Sequence, residues 1–514
     1  LIWTVGKFAL LTTIGALGYI FYFYLLVPWM ARRNMRRYPN VLVNEHLLGD
    51  VADMQKSLEN NKGIVSHLMN NMNTGTAYDF YFTSVIREMN LWITSTKALE
   101  EFYSQVPNSI DREVCTTATF MKCSPHTFAN SLSNPYWKKR RDAASKLLML
   151  KNSSKHIPMI VKSLDNEINS WKEGETVNNF NSKSSTIVLK IITTILFGDD
   201  MLDKMEDCTY IDYSDNYKQK RMSFVEFYEN LVLDMKVRFQ SILCNLFPIL
   251  SIKNLVEPFK SHQKNIDEAW VKLRKFLKES EDDESIYRKM LDNGIPEDDA
   301  LHDMMGFLLA GHDTTTQALI SAIFFTKKNT AVYSKLFDEL TKLGVNANSD
   351  YSKDETKDAI QSCEYLDYVV KEIIRIDCSS LFGLPYMTTK DVTLRGVDIP
   401  KGHRMYISPI SLNYDPSQWQ EPTKFIPERF DPESEYFFKP GTKERRSVYS
   451  FIPFSAGIRK CPGQNLAKLE LKFLLARFVT TVKYEIEESL INNDDVRFQL
   501  FNSFVLNFKY EGKP

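Results

Sequence analysis

Cys461 has the surroundings in this 514-residue chain that most invite chemistry. It stands in Phe454-Ser-Ala-Gly457-Ile-Arg459-Lys-Cys461-Pro-Gly463, and a helical pattern starts at Gln464. A thiolate there aims its charge at a helix N-terminus, where free N–H groups and the dipole stabilise it and weaken its proton affinity. Gly457 and Gly463 let backbone approach a flat ligand closely. A free cysteine is usually a packing residue. That reading serves Cys115, Cys123, Cys208, Cys244, Cys363 and Cys378, which form no CxxC pair and no zinc-like quartet; with an odd total they point to a reducing compartment. The combination FxxGxRxCxG, by contrast, arises by chance in on the order of one in ten thousand chains of this length, so the loop carries information that a lone thiol does not.

A second group of polar residues interrupts an apolar helix predicted over Asp298 to Lys327. Gly306, Ala310, Asp313, Thr314 and Gln317 recur at spacings of three and four, so they share one face. That face is small and polar where a core helix would present Leu or Ile. Thr314 can bond back to the carbonyl of Ala310, loosening the ladder and opening a notch. Taken alone, the face is equally a helix interface with tolerated polar residues.

The cysteine loop resembles the heme-binding loop of the cytochrome P-450 family, and further motifs follow that family in order. Ala310-Gly311-His312-Asp313-Thr314-Thr315 looks like its oxygen-binding helix, Glu372-Ile-Ile-Arg375 its ExxR motif, and Pro427-Glu428-Arg429-Phe430 its PERF motif. Trp137-Lys-Lys-Arg140-Arg141 is similar to its WxxxR helix, so the resemblance runs from about Asp50 to the end. It implies a heme-thiolate monooxygenase that uses heme b (iron protoporphyrin IX), with Cys461 as the iron ligand. Thiolate ligation favours O–O cleavage over oxygen carriage. By the same resemblance Asp313 and Thr314 are the acid and alcohol that relay protons, and such relays need positioned donors more than strong acids. Trp137, Arg141 and Arg459 become donors to the heme propionates, and Phe454, Gly457, Gly463, Ala310 and Gly311 become cofactor contacts. Glu372, Arg375 and Arg429 form a structural triad that fixes the cysteine loop. Lys138, Lys139, Arg140, Lys460 and Lys468 surround the proximal side as a basic patch for an acidic electron donor.

The elements that must position these residues are mainly α with small β-sheets. Helical patterns cover Lys97 to Tyr103, Trp137 to Leu150, Ser223 to Leu243, Asn265 to Ser280, Tyr365 to Arg375 and Gln464 to Thr481, with strands at Leu91–Thr94, Val392–Ile399 and Val496–Phe508. A solvated charged loop is expected within Lys278 to Lys289. No Gly/Ser or Pro-rich linker divides the chain, so one large P-450-type domain is expected at 50–514, behind a basic linker at 31–49 and an N-terminal membrane anchor at 1–30. Phe8 to Met30 holds no charge, and at about 1.5 Å per residue it is long enough for a ~30 Å hydrocarbon layer. Arg32, Arg33, Arg36 and Arg37 follow, which places that end on the cytosolic side. Lys plus Arg (64) cancels all but one of Asp plus Glu (65), so no global field recommends nucleic acid. No nucleotide motif or iron–sulfur cysteine set is evident. The resemblance therefore implies an NADPH-dependent flavoprotein reductase as partner, an endoplasmic reticulum membrane location with a cytosolic catalytic domain, and a small lipophilic substrate: a fatty acid, sterol or xenobiotic. By family analogy the substrate is lined by segments in Pro107 to Ser133, Phe224 to Pro248, Phe307 to Thr314 and Ser379 to Met387. Two rivals stay open: an isomerase or dehydratase of the same fold acting on a lipid peroxide, and a non-enzymatic heme sensor.

The chain also departs from the family pattern. Arg375 is followed by Ile376-Asp-Cys-Ser-Ser380 where prolines are usual, and Tyr386 occupies a place where a basic propionate contact is usual. The Pro-rich hinge after the anchor is reduced to Pro39.

Overall fold

The computed structural model describes residues 13–15, 17–19, 21–44, 46, 49, 50, 53, 78–85, 88–114, 124–198, 201–204, 207–240, 254–279, 283–380, 383–493 and 504–513. The described chain is mainly helical with small sheets, and it packs as two compact units, each assembled from three stretches of sequence. Interleaved segments explain why no linker marks a boundary in the sequence.

The smaller unit takes Leu1–Glu113, Arg238–Leu255 and Phe382–Leu412. Its sheet contains β1 (Val41–Val43), β2 (Phe80–Val85), β3 (Glu88–Ile93), β4 (Ile110–Arg112), β5 (Tyr386–Thr388) and β6 (Arg404–Ile407), in the order β1-β2-β3-β6-β5-β4. β2 and β3 run antiparallel with Phe80 opposite Ile93, and β6 lies parallel to β3 with Arg404 opposite Asn90. Phe80 to Ser84 are buried on both faces, which explains why β2 reads as a continuous run with little alternation. The expected strand around Val392–Ile399 is a tight hairpin that turns on Arg395 (φ 50°) and Gly396 (φ 76°), the left-handed pair that matches strand twist.

At the N-terminus an apolar helical stretch long enough to cross a membrane covers Thr13–Met35, five residues past the expected end of the anchor; its last turns are α1 (Val27–Met35). Residues 8–12 lie outside the described residues. Arg32 does not belong to an interfacial basic cluster as expected. It is buried and donates to Ser84 Oγ, while the Asp50 carboxylate accepts from Ser84 N at 2.7 Å and from Tyr81 Oη at 2.5 Å. Residues 31–49, expected as a basic linker, thus carry structure of their own: the end of α1, its contact with β2, and β1.

The larger unit takes Val114–Val237, Val256–Leu381 and Asn413–Pro514. Its helices include α2 (Pro135–Leu147), α3 (Phe180–Phe197), α4 (Phe224–Gln240, which begins here), α5 (Phe259–Glu279), α6 (Glu297–Lys328), α7 (Glu364–Ile376) and α8 (Gln464–Thr481). α6, 32 residues long, is the central rod and packs on α3, α7 and α8. Glu297, Asp298 and Asp299 in its first turn and Lys327 and Lys328 in its last complement its dipole. Two glycines permit close approach to α6: a Cβ at Gly306 would lie 2.7 Å from Thr127 Oγ1, and one at Gly311 would lie 3.0 Å from Ile192 Cδ1 on α3. Of the strand expected over Val496–Phe508, residues 494–503 lie outside the described residues and 504–507 are not strand; the strand lies later, at Phe508–Tyr510, beside Tyr484–Ile486 and Thr176–Val177. A hairpin, Cys208–Asp212 with Lys218–Met222, adds a sheet that the sequence reading did not anticipate.

Candidate active site around Cys461

The cysteine loop turns on Ser455 (φ 61°) and Gly457 (φ 62°), both left-handed, and closes when Cys461 N donates to Phe454 O at 2.8 Å. α8 begins directly afterwards with Gly463 as its N-cap residue and no side-chain cap. A Cβ at Gly463 would stand 3.9 Å from Cys461 Sγ, so the sulfur lies over the start of the helix. The N–H groups of Gly463 and Gln464 donate to it, and Arg141 adds a positive field. The net effect is nevertheless the reverse of the sequence expectation: burial pushes the free Cys461 thiol up, and the donors and Arg141 only moderate the rise. The side chain as a whole is exposed, yet surrounding protein desolvates its sulfur. Cys208, Cys363 and Cys378 are buried thiols, as expected of packing residues; Cys115, Cys123 and Cys244 lie outside the described residues.

Three predicted donors meet beside this loop. The guanidinium of Arg459 stacks on the Trp137 ring at 4.2 Å and donates to Ser131 O at 2.7 Å; Arg141 lies 5.6 Å from the same ring and donates to Lys460 O. Trp137 is buried, and its indole N–H has no acceptor among the described residues. Asn134 caps the start of α2, accepting from Trp137 N at 2.8 Å, which fixes the turn that carries the indole. A buried donor without an acceptor, two guanidiniums and a thiol that already accepts two backbone N–H groups fit the heme that the resemblance implies. Cys461 would hold the iron; Trp137, Arg141 and Arg459 would face the propionates.

Arg140 is not part of a basic patch. It is 4% exposed and grips Asp303 of α6 bidentately, at 2.8 Å from Nε and 2.7 Å from NH2, with Asp299 at 3.2 Å. Asp303 also accepts from Phe128 N at 2.7 Å. One residue along a helix turns the side chain by about 100°, so Arg140 faces inward while Lys138 and Lys139 face solvent. Lys460 is exposed, and Lys468 is half-buried, with burial the largest cause of its lowered pKa.

On α6, Thr314 Oγ1 donates to Ala310 O at 2.6 Å, the predicted back-bond. Ala310, Gly311, Asp313 and Thr314 are accessible in an otherwise mostly buried helix, whereas Gly306 and Gln317, expected on the same face, are buried. The side-chain position of Gly311 faces α3, so its missing Cβ serves helix packing. His312 is buried and its Nε2 lies 3.0 Å from Ser185 Oγ.

Glu372 takes Arg375 bidentately at 2.7 and 2.8 Å and accepts from Arg429 Nε at 3.1 Å; all three side chains are 0% exposed. The sequence reading missed Arg446, which donates to Arg429 O and Tyr436 O, both at 2.6 Å, and stacks on Trp419 at 4.2 Å. Burial, then repulsion from Arg429, brings its pKa down to about 10. Its only sequence signal was the run Lys443-Glu-Arg-Arg446, which reads as plain surface charge. In the smaller unit, the Tyr386 ring carries the guanidinium of Arg112 at 4.6 Å, and Arg112 donates to Leu384 O at 2.6 Å. Of the expected substrate-lining segments, residues 115–123, 241–248, 381 and 382 lie outside the described residues.

A family model described as Cytochrome P450 matches residues 57–505. Among curated proteins the chain is 34% identical to cytochrome P450 4e2 of Drosophila melanogaster over 34% of this chain and 30% of that protein. It is 31% identical to (S)-canadine synthase CYP719A21 of Papaver somniferum over 37% and 36%, and 24% identical to pluviatolide synthase of Sinopodophyllum hexandrum over 73% and 72%. The match to the first two of these thus spans about a third of their length. A family model that covers most of the chain, over a fold that gathers Cys461 with Trp137, Arg141 and Arg459, leads to one conclusion: the chain belongs to the cytochrome P450 family, whose cofactor is heme held through a cysteine thiolate.

Proposed function

We propose that residues 50–514 act as a monooxygenase that inserts one atom of O2 into a C–H bond of a small lipophilic substrate. Electrons come from NADPH through a flavoprotein reductase. The observation that carries this reading is the Cys461 sulfur, set over the start of α8 under two backbone N–H groups and beside the donors of Trp137, Arg141 and Arg459. Bound heme would supply oxygen activation, and the protein's share is binding, orientation and protons.

Cys461 and the loop from Phe454 to Gly463 hold the cofactor from one side. Asp313 and Thr314 handle protons on α6. The Thr314 hydroxyl already serves the carbonyl of Ala310, which keeps Oγ1 at a defined place with a lone pair free to accept. Asp313 stands next to it, accessible enough to exchange protons with water. An intact acid–alcohol pair favours monooxygenation over rearrangement of a peroxide, which needs no delivered protons. The apolar helix at Thr13–Met35, with the exposed Arg33 in its last turn and the exposed Arg36 and Arg37 just after it, supports an endoplasmic reticulum anchor with the body in the cytosol.

The test is spectroscopic and then chemical. Reduced, carbon-monoxide-treated holoprotein is expected to show the long-wavelength band of sulfur ligation, and Cys461→Ser to lose it. A variant that keeps the band removes the reading. With reductase and NADPH, a lipid that shifts the resting spectrum from low to high spin is expected to be hydroxylated; turnover of a lipid hydroperoxide without NADPH would favour the isomerase instead.

A further inference from the structure

Gln317 lies one turn beyond Asp313 on α6 and is more than nine-tenths buried, at 9% exposure. Its Nε2 donates to Asp313 Oδ2 at 3.5 Å. The nitrogen of the amide faces Asp313, the orientation in which the side chain donates to the carboxylate. Oε1 therefore points elsewhere, buried, with no donor among the described residues. Leaving such an acceptor dry is unfavourable, and interior waters occur where buried polar atoms lack protein partners.

The backbone below is tied down as well. Ser321 Oγ lies 2.8 Å from Gln317 O and 2.7 Å from Asp377 Oδ2, so the turn that carries Gln317 is linked to the end of α7. A line of contacts runs from Asp377 through Ser321 and Gln317 to Asp313. Nothing in the packing of an apolar helix asks for an amide at this depth. A neutral donor does suit Asp313: it orients the carboxylate without the strong ion pairing that a lysine or arginine would impose.

We propose that Gln317 is a positioning residue for proton delivery, orienting the Asp313 carboxylate with its amide N–H and holding an ordered water on Oε1. The inference rests on the reading of Asp313 and Thr314 given above, and the experiment separates the two. Gln317→Met keeps an unbranched chain of similar volume and removes both polar atoms; Gln317→Glu keeps the shape but presents an acceptor to Asp313. In holoenzyme with reductase, Gln317→Met is expected to lower the ratio of product to hydrogen peroxide about tenfold, the scale of one lost hydrogen bond to a charged group. It should also raise the solvent isotope effect and leave the carbon monoxide band of Cys461 unchanged. Gln317→Glu should uncouple more strongly. A high-resolution crystal structure of the wild-type protein is expected to show a water about 2.7–3.2 Å from Oε1, absent from the Met variant.

Unaltered coupling and isotope effect in Gln317→Met, alongside uncoupling in Thr314→Ala, would overturn the inference and leave the functional reading intact. So would a dry Oε1. If Thr314→Ala also stays coupled, the proton-relay reading itself falls, and the role of Gln317 with it. Should the Met variant fail to bind heme, Gln317→Asn, polar but one methylene short, decides: wild-type coupling in that variant overturns the proposal, and uncoupling supports it.

Discussion

Replacing Glu470 by Gln should change how the stability of this protein depends on pH. Glu470 sits on α8 with 2% of its surface exposed, and burial alone pushes its pKa up to about 8 from 4.5. Its Oε1 has no hydrogen-bond partner among the described residues, so little inside offsets the lost hydration. The folded form therefore keeps a proton that the unfolded chain releases above about pH 4.5. Between about pH 4.5 and 8 the native state binds more protons than the unfolded one, and stability must fall as pH rises through that window. The slope approaches about 1.4 kcal/mol per pH unit for one proton. Over a shift from 4.5 to about 8 the loss reaches up to about 5 kcal/mol at the alkaline end. Glutamine has the size of the protonated acid and cannot ionise. The assay is chemical unfolding of the heme-loaded wild type and Glu470→Gln side by side at pH 5, 6.5 and 8, so that contributions common to both cancel. The variants should be close at pH 5, and the glutamine protein should be more stable by several kcal/mol at pH 8. A difference that does not change across this range would mean that Glu470 is ionised in the folded protein or open to water, and the argument from burial would be wrong.

Glu372→Gln leaves two buried guanidiniums facing an amide, and the cost expected of breaking a buried ion pair is about 3–5 kcal/mol; the check is an early unfolding transition together with loss of heme from the purified protein. Arg140→Leu strands Asp303, which is 0% exposed, and should cost a similar amount. Adding Asp303→Asn should recover part of that loss, because the second change removes the charge left unpaired; a double variant no more stable than the single one would argue against stranding as the cause.

The long elements were legible because their periodicity is long: α8 spans the predicted Gln464 to Thr481, and α6 and α7 each extend the predicted range by one residue at either end. What the sequence could not display was the direction of single side chains. Arg140 and Arg141 are neighbours in a basic run, yet one closes on Asp303 and the other stands beside the cysteine loop. Arg32 was grouped with Arg33 for the same reason, although only the former reaches Ser84. For the free Cys461 thiol, desolvation outweighs the helix N-terminus and Arg141, and the sequence does not display how deeply protein surrounds the sulfur. The discontinuous make-up of the two units had no signal, since residues 382–412 join the first sheet through pairing with β3 and β4, hundreds of positions upstream.

The arginines around Glu372 show how the chain holds positive charge in its interior with a single carboxylate. Arg375 sends NH1 to the carbonyls of Asn413 and Pro422, both at 2.8 Å, and Arg429 reaches those of Gln420, Glu421 and Lys424. Arg446 spends its NH1 and NH2 donors on the carbonyls of Tyr436 and Arg429. Guanidinium suits this role because its five N–H groups lie in one plane and none needs to ionise or rotate. The carbonyls, held by 3-10 turns and loops that have few ladder bonds of their own, gain the donors that a helix or sheet would have given them. The excess positive charge therefore does not have to be neutralised by further acids: the loop backbone supplies the negative ends of its dipoles, and the arginines in return hold an irregular stretch of chain in one conformation. That exchange ties the stretch from Asn413 to Arg446 to α7 and to itself at several points, and it accounts for how a third arginine can join the two that share Glu372.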